Sequence, residues 1–161
     1  MTVKRTMLWF ILTSLVLTLV LTACGGGAPQ VEWTLAVTGA APNPLALSYA
    51  DLVAMPQTDL TDILMQKSLG EDEVTSWSGV SLDLILEQAG VTDYASITAI
   101  AADGYAIEIS RDELQDAIIA LQKEGEWITT AEPDKGPIRL VCPETPANRW
   151  VFQIIELQIN N

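Results

Sequence analysis

The sequence predicts an α+β domain, and three observations lead there. Apolar runs of strand length are interspersed with short capped helices, without the regular strand–helix alternation of a doubly wound sheet. Hydrophobic residues make up 49% of the chain, enough to bury one core. From Val31 to Asn161 there is no internal repeat and no low-complexity run, so one domain accounts for residues 31–161.

Each element follows from local chemistry. Residues 31–37 alternate apolar and polar side chains as a strand, and Gly39 ends it. Pro42 and Pro44 mark a turn. Ser48 and Asp51 are spaced like a capping box, and Pro56 keeps the helix they open short. Residues 58–66 suit a strand, and the polar, acidic stretch 67–76 suits a loop. Ser81 caps a second helix over 82–89, with Asp83 in its first turn and Gly90 as its stop. Leu82, Ile85, Leu86 and Ala89 share its apolar face. Residues 97–101 and 105–109 form a hairpin about Asp103-Gly104. Ser110 and Glu113 form a capping box that opens the longest helix, 111–124, closed by Gly125. Leu114, Ala117, Ile118 and Leu121 line its inner face. Residues 127–128 make a brief strand, 138–142 a strand between prolines, and 150–159 a long closing strand.

The N-terminus carries an address. Lys4 and Arg5 precede an uncharged apolar run over 7–22, shorter than the roughly 20 residues that span a bilayer. The run ends in Leu21-Thr22-Ala23-Cys24-Gly25, which resembles the bacterial lipoprotein signal. That resemblance implies a signal peptide over 1–23, a lipidated Cys24 and anchorage at the cell envelope, on the outer or the cytoplasmic membrane. Two or three acyl chains hold a protein stably where one would be marginal. Gly25-Gly26-Gly27-Ala28-Pro29-Gln30 completes a flexible tether over 24–30.

Removing the signal leaves 138 of 161 residues. Lys4 and Arg5 leave with it, so 6 basic residues face 21 acidic ones and the net charge moves from −13 to −15. Such a charge, without a basic cluster, argues against nucleic acid as a partner. With no histidine anywhere, a His-based general acid or base and a His-ligated metal are excluded. Glu71-Asp72-Glu73 lacks the spacing of a calcium loop and reads as a solvated acidic loop. Asp112, Glu113 and Asp116 gather at a helix start and read as capping and solubility. Cys142, in an apolar run with no base to activate it, reads as a buried structural thiol.

Four segments say more together. They are Trp77-Ser78-Gly79-Val80-Ser81-Leu82, Ala102-Asp103-Gly104-Tyr105, Gly136-Pro137-Ile138-Arg139-Leu140-Val141-Cys142-Pro143, and Arg149-Trp150-Val151. Their order and spacing resemble the oxidoreductase molybdopterin-binding domain of the sulfite oxidase family. Leu47-Ser48 with Asp51-Leu52 and Pro56 resembles the family's opening segment, and residues 82–90 its helix with an Ala-Gly ending. The resemblance implies mixed β-sheets with short helices and a pocket for the pterin of a molybdenum cofactor. It places Trp77, Asp103, Tyr105, Lys135, Arg139 and Arg149 at that pocket.

The departures are specific. The family's metal is held by the pterin dithiolene and one Cys thiolate, and the matching stretch, 58–76, has no Cys. Neither Met65 nor Ser68 replaces a thiolate readily. Lys135 stands where the family often has a His. Only Lys135, Arg139 and Arg149 supply cations in the pocket-forming segments, enough for one phosphate. Surface pairing with carboxylates is the competing role for the two arginines. No catalytic residue and no metal ligand is assigned. The cofactor expectation is therefore none, or molybdopterin by resemblance. The sequence reads as a lipid-anchored, extracytoplasmic domain of the molybdopterin-binding oxidoreductase type. Having lost the metal ligand, it holds a small-molecule or protein ligand in the cofactor-like groove. An active molybdopterin-dependent oxidoreductase of a small substrate and an accessory structural envelope lipoprotein are the alternatives.

Overall fold

The computed structural model describes residues 27–161. The expected signal peptide and Cys24 lie outside the described residues. Among the described residues, eleven strands form two sheets. The first sheet contains β1 (Thr34–Gly39), β2 (Leu45–Ser48), β5 (Ser96–Ala101), β6 (Ala106–Ser110) and β11 (Ile154–Asn160), in the order β2-β1-β11-β5-β6. The second contains β3 (Thr58–Met65), β4 (Glu73–Ser81), β7 (Ile118–Lys123), β9 (Arg139–Val141) and β10 (Val151–Phe152), in the order β10-β9-β7-β4-β3. A two-residue β8 (Glu126–Trp127) pairs with β7. Only β1 and β11 run parallel; every other pair is antiparallel. Short helices α1 (Tyr49–Ala54), α2 (Leu82–Gln88) and α3 (Ile128–Ala131) fill the connections. The α+β expectation holds, with far more strand than helix.

Much of the local chemistry acts as predicted. Ser48 and Asp51 close a reciprocal capping box at α1: the Asp51 amide donates to Ser48 Oγ and the Ser48 amide to Asp51 Oδ2. The apolar face of α2 is buried at Leu82, Ile85, Leu86 and Ala89. Ser81 occupies the position before that helix, but its side chain makes no capping bond. Asp103 and Gly104 sit in the turn between β5 and β6, where Gly104 adopts φ 87°. Cys142 is fully buried, and desolvation raises its thiol to about 12.

The largest correction is the helix expected over 111–124. Ser110 and Glu113 do form their capping box, but it opens only a 3-10 turn, Arg111–Leu114. Asp116 then takes φ 55°, and the chain enters β7. Ile118, Ile119, Ala120 and Leu121 are consecutive and all buried. Successive strand side chains point to opposite faces, so four buried in a row mean that β7 is covered on both faces there and its run is apolar at every position. That run also satisfies helical spacing, and the β-branched Ile pair is what separates the two. Glu124 and Gly125, expected as a helix end, both have positive φ and form the two-residue turn between β7 and β8.

Smaller corrections concern boundaries. The loop expected over 67–76 stops early, because β4 begins at Glu73 and buries Thr75 and Trp77 on one face. Strand β2 follows Pro44 directly, where no strand was expected. Ile128 belongs to α3 rather than to a strand. The closing strand is broken at Gln153, φ 47°, where the chain leaves the second sheet as β10 and enters the first as β11.

Candidate functional site

Strand register builds a charged hollow beside the second sheet. Lys123 lies directly opposite Trp77 across β7 and β4, Arg139 opposite Ala120 across β9 and β7, and Phe152 opposite Arg139 across β10 and β9. The hollow has a volume of about 270 Å³ and is lined by Lys67, Glu73, Lys123, Glu132, Lys135 and Arg139, among others. Four of the six basic residues among the described residues therefore share one place in a chain that is otherwise acidic.

The charges alternate. Lys67 Nζ lies 2.8 Å from Glu73, and Lys123 Nζ reaches Glu73 at 3.5 Å and Glu132 at 3.4 Å. Lys135 Nζ meets Glu132 at 3.1 Å, while Arg139 Nη1 stays 3.9 Å from it. Hydrogen bonding from Lys67 holds the Glu73 carboxyl below its ordinary value. Burial by itself would raise Glu132, but Lys135 and Lys123 outweigh it and hold this carboxyl low as well. With two carboxylates against four cations, the hollow keeps a net positive charge.

Arg139 is the least ordinary member. It is only 3% exposed, and its guanidinium carbon lies 5.0 Å from the ring centre of Trp77, 5.2 Å from Trp150 and 4.0 Å from Phe152. Aromatic faces stabilise the cation that burial penalises. Desolvation still lowers its pKa to about 10, leaving it charged at neutral pH. Its Nε and Glu132 Oε2 are both buried without a hydrogen-bond partner. Trp77 and Trp150 are fixed in turn: they meet edge to face at 5.9 Å, Trp77 Nε1 donates to Thr75 Oγ1, and Trp150 Nε1 donates to the Cys142 carbonyl. Gly79 completes this floor, since a Cβ there would collide with the Ile119 carbonyl of the neighbouring strand.

A second hollow, of about 380 Å³, adjoins the first; both are lined by Ala147, Asn148 and Phe152. It holds Asp103, Tyr105, Asp134 and Trp150, and no basic side chain. Of the six residues expected at a pocket, Lys135 and Arg139 line the first hollow, and Asp103 and Tyr105 the second. Trp77 lies beneath Arg139 and lines neither. Arg149 lines neither: its Nε and Nη2 donate to Glu113 at 2.8 and 2.9 Å, and Nη2 also donates to the Glu108 carbonyl. The pairing role weighed for Arg149 is the one it has. Lys67 and Lys123 were missed. Lys67 fell in the presumed loop, and Lys123 on the presumed helix. A hairpin reading of residues 118–127 would have put Lys123 beside the Trp77 motif.

A mixed two-sheet α+β domain with a cationic hollow over a tryptophan floor is the class that fold and geometry define. The chain belongs to the oxidoreductase molybdopterin binding domain family, whose model matches residues 26–161. In fold it is similar to the crystal structure of the sulfane dehydrogenase SoxCD from Paracoccus pantotrophus, with a TM-score of 0.70 and 23% identity. That match covers 83% of this chain and 40% of the other, so the chain spans less than half the length of that neighbour. No curated protein matches the chain.

The residues present do not fit a metal held through a protein thiolate. Neither hollow is lined by a thiol or an imidazole. Met65 and Ser68, from the stretch that lacks the family's Cys, do line the first hollow, but a thioether and a hydroxyl are poor substitutes for a thiolate. Cys142 is buried in the core and lines neither hollow. Among the described residues, no three His, Cys, Asp or Glu side chains group as a metal site.

Proposed function

We propose that the chain is a lipid-anchored, extracytoplasmic member of this family in which the cofactor groove has lost its metal ligand and works as a binding module. The observation that carries this reading is the donor set of the first hollow: four cations and two carboxylates, with Met65 and Ser68 but no thiolate. Such a set binds charge and offers no thiolate to a metal. Cations already held by Glu73 and Glu132 suit a reversible ligand, which competes with those carboxylates for the same donors.

Metal analysis tests the binding-module reading. The full chain is purified in detergent from a cell that makes the molybdenum cofactor, and molybdenum and pterin fluorescence are measured. The expected result is neither in stoichiometric amount. Stoichiometric metal would overturn the reading and favour an active molybdopterin-dependent oxidoreductase. Anchorage is tested separately with a radiolabelled fatty acid: Cys24→Ala should abolish acyl labelling, and persistence of the label would refute the lipidation of Cys24.

A further inference from the structure

We propose that the two adjoining hollows form one site for a small zwitterion, with its anionic end at Lys135 and Arg139 and a quaternary ammonium end between Asp103 and Asp134. This deepens the binding-module reading above and rests on it. The first observation is opposite charge across a shared wall. One hollow holds four cations against two carboxylates, while the other holds two carboxylates and no cation. Phe152 lines both, with Lys135 Nζ 5.5 Å from its ring centre and the Arg139 guanidinium carbon 4.0 Å from it.

The second observation is that the cationic end lacks part of its partner set and the acidic end carries no counter-charge. Arg139 is almost wholly buried, lines the first hollow, and leaves Nε without an acceptor. Arg139 Nη1 is 3.9 Å from Glu132, the outer limit of an ion pair. A ligand carboxylate or phosphate in the hollow would give the guanidinium a closer counter-charge than Glu132 does. At the other end, neither Asp103 nor Asp134 is in an ion pair among the described residues. The third observation is the wall chemistry. Tyr105, Trp150 and Phe152 line the acidic hollow, and aromatic faces with nearby carboxylates are what a quaternary ammonium binds. Size limits the anionic end, because the cationic hollow alone falls below the roughly 300–1,000 Å³ of ordinary small-molecule sites.

The test uses trimethylammonio carboxylates of increasing chain length, titrated calorimetrically into the full chain in detergent. Acetate and tetramethylammonium serve as the separate halves. Joining the two groups makes the second contact intramolecular, so one chain length should bind at least about tenfold tighter than either half. Asp103→Asn with Asp134→Asn should reduce that zwitterion to the affinity of acetate. Lys135→Gln should weaken it while leaving tetramethylammonium unchanged. Affinity no better than acetate at every chain length, in metal-free protein, would overturn this inference and leave the binding-module reading standing. Stoichiometric molybdenum would instead overturn the reading beneath it. The same ammonium chemistry occurs on phosphatidylcholine headgroups. Saturable binding of the free zwitterion supports the proposal, whereas binding only to phosphatidylcholine vesicles, with none to the free compounds, overturns it.

Discussion

Two arginines of this chain come from neighbouring segments, carry the same charge and each resemble a basic position of the family, yet they live in opposite circumstances. Arg149 is partly exposed and fully engaged, with a two-pronged contact to Glu113 and a third bond to the Glu108 carbonyl. Arg139 is buried among three aromatic rings, with its nearest carboxylate at 3.9 Å and its Nε unpartnered. Arg149 is spent on partners within the fold, whereas Arg139 lines a hollow with its counter-charge incomplete. Residue type does not distinguish the two, and partner geometry does.

Removing Arg139 is the largest test of that contrast. Arg139→Ala would strip the cation from its aromatic box, leave a cavity and leave Glu132 buried beside fewer cations. Glu132 keeps Lys123 and Lys135, so the main cost is the cavity and the lost aromatic contacts of a buried long side chain, on the order of 3 kcal/mol. Denaturant unfolding should therefore show a loss of about that size. A loss below about 1 kcal/mol would mean that the guanidinium is not held as the geometry describes, and the contrast with Arg149 would collapse.

The two arginines also show how far the sequence could be read. Capping at Ser48, the face of α2, the turn at Asp103-Gly104 and the burial of Cys142 were legible because each is set within a few residues. Strand β7 was not, because Leu114, Ala117, Ile118 and Leu121 satisfy helical spacing as well as two-sided burial, and the choice is made by β4 and β9. Losing β7 meant losing Lys123, which reaches the hollow only through its pairing with Trp77. Arg139 and Lys135 were legible through the family motif. The engagement of Arg149 was not, because Glu113 lies 36 positions away in the chain.

A smaller test concerns the wall behind Arg139. Trp150→Phe keeps an aromatic face but deletes the Nε1 bond to the Cys142 carbonyl. That carbonyl still accepts from the amide and hydroxyl of Thr145, so no buried acceptor is orphaned. The loss should be near the net value of one hydrogen bond, about 1 kcal/mol, read by thermal or urea unfolding. A loss comparable to that of Arg139→Ala would show that the whole box, rather than the guanidinium, carries the stability.

The smallest effect is expected at Arg149, and pH gives it a signature. Hydrogen bonding from Arg149, with the Ser110 amide next, lowers the Glu113 carboxyl from 4.5 to about 2. A carboxyl depressed in the folded state contributes stability that is present above its unfolded pKa and lost as pH falls through the folded one. The window therefore runs from about 4.5 down to about 2. Both side chains are partly solvated, so screening keeps the pair at no more than about 1 kcal/mol. Arg149→Gln should cost up to that amount near pH 7, with a smaller deficit near pH 3, because the stability linked to the depressed carboxyl is already partly lost there. Glu113 would keep its bonds to the Ser110 amide and hydroxyl, so part of the acid dependence should persist in the variant. Urea unfolding of both proteins at the two pH values measures it. A deficit that ignores pH would place the role of Arg149 in its bond to the Glu108 carbonyl rather than in the ion pair, and one as large as that of Arg139→Ala would erase the difference between the two arginines.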